Sequence, residues 1–89
     1  MNVTIKKYKK NSLIFLGSGQ VKPEFYIVKK VQIKIIKKDS LFGDNEFTAD
    51  EGYIFGIIQC ITGITENITV EAVVDCEIIT IAKNQIEQV

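Results

Sequence analysis

The sequence contains no histidine, no tryptophan and no arginine, and only one proline and two cysteines in 89 residues. Each absence narrows what the chain can do. Without an imidazole the common acid–base arrangements are excluded, and no nucleophile stands beside a recognisable base. The chain is therefore read as a non-enzyme. Without histidine, and with no Cys-x-x-Cys spacing, a zinc site has no ligand set, so neither metal nor cofactor is expected. Cys60 and Cys76 allow one bridge at most. With no secretory signal they read as buried thiols of a cytoplasmic protein. The apolar run from Leu13 to Leu16 is too short for a signal-peptide core, and no small-residue cleavage site follows it. No segment is long enough to span a membrane. The glycosylation patterns at Asn2 and Asn67 carry no meaning in that compartment.

What is present is a β-forming composition. The hydrophobic share is 46% and is dominated by isoleucine, whose branched Cβ favours strands. One domain over residues 1–89 is expected, with a modest core. Net charge is zero but the charges are segregated: ten of eleven lysines precede Asp39, and ten of eleven acids lie from Asp39 onward. A basic surface for nucleic acid or acidic lipid is one reading of that split. A mixed surface formed when the halves pack together is the other. The neutral total and the missing arginine favour the mixed surface, so a nucleic-acid partner is not expected.

In chain order, Val3 and Ile5 alternate with polar neighbours in a short first strand, whose lysines at 6, 7, 9 and 10 read as a solvated edge. Leu13–Leu16 reads as a buried strand, followed by a turn from Gly17 to Pro23. Glu24–Val28 reads as a strand buried on both faces. Val31, Ile33 and Ile35 alternate in a half-buried strand. A hairpin is expected around Gly43, Asp44 and Asn45. Gly52–Phe55 reads as a short strand, followed by one helical turn and a loop from Gly63 to Glu66. Ile68, Val70 and Ala72 share a strand face, Val73–Asp75 makes a corner, and Cys76–Ile81 is the last strand. Ala82–Val89 begins a short helix.

Four motifs in register give this pattern a family likeness: Phe25-Tyr26-Ile27-Val28, Phe55-Gly56, Thr69-Val70-Glu71-Ala72 and Asp75-Cys76-Glu77. Together they resemble cyclic-nucleotide-binding domains, over roughly Tyr8 to Val89, with Asn11 at a common glycine position. That family's phosphate-binding cassette runs Phe-Gly-Glu-Leu, a helical turn, then Arg-x-Ala-Thr-Val-x-Ala. The resemblance implies a mostly β fold, a small antiparallel β-roll of jelly-roll type with one helical turn in the cassette and a short C-terminal helix. It places candidate ligand positions at Gly56, Ile57, Ile58, Glu66, Asn67 and Thr69. The usual turn after the Phe-Tyr-Ile-Val strand carries a glycine where this chain has Val31. A β-branched residue resists positive φ, so the turn must be rebuilt or the strands joined more directly. The histidine-dependent metal chemistry of other β-rolls is excluded.

The two family residues that matter most for ligand are replaced. The ribose-binding glutamate falls on Ile57, and the phosphate-binding arginine falls on Glu66. At about 4 Å and an effective dielectric near 20, one charge pair is worth on the order of 4 kcal/mol. Even a quarter of the swing from attraction to repulsion, about 2 kcal/mol, exceeds a tenfold loss of affinity. An unpaired buried hydroxyl at Ile57 adds roughly 1–3 kcal/mol. Ile57, Ile58, Ile61 and Ile64 are expected to fill the pocket. Glu66 reads as a solvated loop acid, with capture of a cationic ligand or a partner's lysine as the functional alternative. The expected function is a regulatory or protein-interaction module that has lost cyclic-nucleotide binding, with a protein partner or a second copy of the chain as its target. The alternative is a small-molecule sensor using altered contacts.

Overall fold

The computed structural model describes residues 3–19, 21–37, 43 and 45–84. Eight strands and one helix follow in order: β1 (Val3–Tyr8), β2 (Leu13–Leu16), β3 (Glu24–Lys30), β4 (Gln32–Lys37), β5 (Asn45–Asp50), β6 (Ile54–Phe55), α1 (Ile57–Thr62), β7 (Ile68–Ala72) and β8 (Cys76–Ala82). They form two four-stranded antiparallel sheets, ordered β1-β8-β3-β6 and β2-β7-β4-β5. This is the mostly β roll expected. Among the described residues no helix is long and apolar enough to cross a membrane.

The core lies between the sheets and follows from strand alternation. Tyr26, Val28, Phe55, Cys76 and Ile78 face inward from one sheet, and Phe15, Ile33, Ile35, Ala49, Val70 and Ala72 from the other. The aromatic members tie the sheets together. The rings of Tyr26 and Phe55 stack at 5.1 Å, and Phe15 tilts against them at 5.4 and 6.0 Å. Both cysteines are buried thiols outside any disulfide.

Two turns are set by backbone chemistry. Asn11 takes a positive φ of 72°, a conformation asparagine tolerates far better than branched residues, consistent with its standing at a glycine position. Val31 avoids that conformation: β3 ends at Lys30 and β4 starts at Gln32, so one residue carries the chain from one sheet to the other. The strands are thus joined directly rather than through a rebuilt glycine turn.

Three strand readings need refinement. Leu13–Leu16 is an edge strand rather than a buried one. It pairs only with β7, and Leu13 and Leu16 stay about half exposed, at 54% and 47%. An apolar run does not reveal how many neighbours a strand has. The expected hairpin is present as the β4–β5 pair, registered from Gln32↔Asp50 to Lys37↔Asn45, although residues 38–42 and 44 lie outside the described residues. Ala82 ends β8 rather than opening the C-terminal helix, and residues 85–89 of that helix lie outside the described residues.

Tyr26 gives the fold an alkaline limit. Burial, then the negative charge of Glu24, raises its phenol pKa well above the ordinary 10.0. Below pH 10 both folded and unfolded states hold the proton, and the packing contribution is complete. Above pH 10 the unfolded chain releases it while the folded chain keeps it, so stability falls as pH rises. Denaturant melts are expected to show this decline from about pH 10 upward, with a slope approaching about 1.4 kcal/mol per pH unit from this group. Tyr26→Phe is expected to remove that component of the slope.

Candidate ligand site

The cassette begins where Phe55 ends β6. Gly56 turns the chain with φ 76°, and a Cβ there would sit 2.9 Å from the Tyr26 ring. Only glycine satisfies both the left-handed backbone and the close ring. Helix α1 follows for six residues and stops at Gly63, φ 74°, whose N–H bonds the Gln59 carbonyl at 3.0 Å. A helix this short has little stability of its own. Contacts from outside must hold it.

Gln59 supplies the first of these. It is 2% exposed, and its amide is fully engaged. Nε2 donates to the carbonyls of Glu24 (2.9 Å) and Gly56 (3.1 Å), and Oε1 accepts the Lys22 N–H (2.9 Å). One side chain thereby ties α1 to the segment entering β3. Sequence reading passed over Gln59. Its signal was a lone amide inside an isoleucine-rich helical turn, where burial demands partners.

Glu66 supplies the second. Its Oε1 accepts the Gln59 backbone N–H at 3.0 Å. The first N–H groups of a helix have no intrahelical acceptor and attract negative charge. α1 has no side-chain cap at Gly56 and no acid in its first turn, and the carboxylate arrives instead from the loop beyond the helix. Glu66 is half-buried rather than a freely solvated loop acid. Its backbone is also closely packed, since a Cβ on Gly17 would run into the Glu66 carbonyl oxygen, and the Gly17 N–H bonds Ile68 O at 2.8 Å.

A cavity of about 200 Å³ lies beside this arrangement, lined by Gly56, Ile57, Ile58 and Glu66, with Lys37, Tyr53 and Phe55 among its other walls. Four of the six candidate positions are therefore together. The other two are not: Asn67 is exposed on the loop, and Thr69 pairs with Leu16 and Ile36 on the outward side of its sheet. The expectation that four isoleucines plug the pocket is only partly met. Ile57 is half-buried and on the wall, but Ile58, Ile61 and Ile64 are 58%, 55% and 66% exposed. On a six-residue helix followed by a loop, their spacing carries them outward. A larger cavity of about 410 Å³, walled by Lys7, Lys30, Val31 and Cys76 among others, contains no cassette residue.

With fold and cassette established, the class is defined: the chain has the fold of a cyclic-nucleotide-binding domain. Its structural neighbours are such domains. A cyclic nucleotide-binding domain from Methylobacillus flagellatus matches with TM-score 0.83 at 14% identity, over 97% of this chain and 48% of that one. The regulatory domain of Toxoplasma gondii PKA with cAMP matches with TM-score 0.82 at 17% identity, over 97% and 33%. The regulatory subunit of a cAMP-independent protein kinase A from Trypanosoma brucei matches with TM-score 0.82 at 10% identity, over 97% and 32%. The chain thus spans a third to a half of these three solved chains. No family model matches the sequence, and no curated protein matches it.

Gln59→Leu tests the anchoring role. It keeps the side-chain bulk but orphans the Lys22 N–H and removes the bonds to the two carbonyls. A buried orphan costs roughly 1–3 kcal/mol. A loss of about 2 kcal/mol is expected, seen as a fall in Tm of roughly 8–16 °C by calorimetry.

Proposed function

We propose that this chain is a cyclic-nucleotide-binding-fold module that works without a cyclic nucleotide, as a regulatory or protein-interaction domain. The observation that carries this reading is the Glu66 carboxylate on the Gln59 N–H. By resemblance, position 66 is where the family presents a cation to the nucleotide phosphate. Here the protein places its own anion against the start of the cassette helix. An incoming phosphate would meet like charge and would have to displace the carboxylate from its N–H partner. Ile57 offers no acceptor for a ribose hydroxyl. A cavity of about 200 Å³ also falls below the roughly 300–1,000 Å³ of usual small-molecule pockets. The Trypanosoma brucei neighbour, described as the regulatory subunit of a cAMP-independent kinase, supports the view that this fold can serve regulation without that ligand.

A second reading rests on Lys37, which shares the cavity wall with Glu66. In that reading Lys37 replaces the missing arginine as the cation for a small anionic ligand.

Calorimetric titration with cyclic AMP and cyclic GMP separates the two. Wild type is expected to give no binding heat, and Ile57→Glu/Glu66→Arg is expected to gain measurable affinity for at least one nucleotide. Micromolar binding by wild type that disappears in Lys37→Ala would establish the second reading and overturn the first.

A further inference from the structure

The two sheets differ in what they show outward. Cross-strand partners share a face, so the register identifies each outward row. In the β2-β7-β4-β5 sheet the outward positions include Glu71, Lys34 and Thr48 in one row, and Gln32 beside Asp50 in the next. These groups bond one another: Lys34 Nζ lies 3.7 Å from Glu71 Oε2, and Gln32 Nε2 donates to Asp50 Oδ1 at 3.0 Å. Leu13 and Leu16 on the edge strand and Ile36 interrupt this pattern, but the face is mostly polar.

The β1-β8-β3-β6 sheet is the opposite. Its outward rows place Val3, Ile81 and Phe25 side by side, then Ile5, Ile79, Ile27 and Ile54 across all four strands. Val3, Ile5 and Ile54 are 40%, 48% and 45% exposed, Ile27, Ile79 and Ile81 are half-buried, and Phe25 is already buried within the chain. An antiparallel sheet with one wet face normally alternates apolar-in with polar-out. Here both faces of one sheet are apolar. Strand propensity does not account for it: the outward face of the other sheet uses threonine, equally β-branched, at positions 48 and 69.

The third outward row is Lys7, Glu77 and Lys30, charged and at one end of the apolar rows. This order makes the face self-complementary. A twofold axis lying between two copies and running across the strands sets the apolar rows of one copy on those of the other. It sends the two charged rows to opposite rims. An apolar centre with a charged rim is the anatomy of protein interfaces, and a face that pairs with itself is the isologous kind. Zero net charge, with eleven lysines against eleven acids, removes long-range repulsion between copies.

From this we infer that the outward face of the β1-β8-β3-β6 sheet is a self-association surface, its occupant a second copy of this chain. From strand spacing and rise the whole face, rim included, covers about 400 Å². Stable interfaces use about 800 Å² per partner. The dimer is therefore a weak, reversible one. It involves none of the cassette residues and stands whether or not a nucleotide binds.

Sedimentation velocity of the full chain across roughly 10 µM to 1 mM tests this. The weight-average mass is expected to rise from 10.0 kDa towards twice that value. Ile5→Glu is expected to weaken association at least tenfold, while Ile36→Glu on the other sheet's outward face leaves it unchanged. Amide chemical-shift changes with concentration need no variant, and in wild type they are expected to cluster on Val3, Ile5, Ile27, Ile54, Ile79 and Ile81. A wild type that stays monomeric throughout overturns the inference. So does undiminished dimerisation of folded Ile5→Glu, or shift changes centred on the cassette.

Discussion

The packing of three rings, Phe15, Tyr26 and Phe55, is the constraint on which the rest of the structure depends. Phe15 comes from one sheet and the other two from the opposite sheet, so their contact sets how the sheets face each other. Each such pair contributes about 0.5–1.5 kcal/mol beyond simple burial. The geometric consequence matters more than the energy. Tyr26 stands where a side chain on residue 56 would have to go. Phe55 must therefore be followed by glycine, and the left-handed turn at Gly56 fixes the direction in which α1 leaves the sheet.

The cassette is then held by polar contacts that come from inside the protein. α1 is too short to persist alone, and Gln59 pins it to the backbone at Lys22, Glu24 and Gly56. The Glu66 carboxylate completes the arrangement by taking the Gln59 N–H. In a pocket built for an anionic ligand, the ligand would supply negative charge at the helix start. Here the chain supplies it. A cassette completed by its own residues has less to gain from a nucleotide, which is the physical content of the proposed ligand-free role. The apolar outward sheet face offers a different surface through which such a module can act.

Much of the fold was legible because its signals are local. Phe55-Gly56 marks a turn that only glycine enters. Asn11 marks a left-handed position by the one common side chain besides glycine and aspartate that tolerates it. Ile33/Ile35 and Val70/Ala72 announce buried faces by their spacing. The run Leu13–Leu16 misled because apolar composition does not distinguish an edge strand, paired on one side, from an interior one. Ile58, Ile61 and Ile64 misled similarly. Their apolar character predicted burial, but the short helix and the loop after it turn them outward.

The sequence by itself determined the succession of strands along the chain, the glycine-bounded cassette and the placing of Ile57 and Glu66 within it, since each is a matter of residue identity at a recognisable spacing. Tertiary structure alone decided that Glu66 bonds Gln59, that Gln59 reaches back 37 residues to Lys22, and that Lys37 shares their cavity. It also decided that seven apolar side chains from four separate strands form one outward face. Those outcomes depend on which strands become neighbours and in what register. Register is a property of the assembled sheets, because a shift of one residue reverses the face of every side chain on a strand.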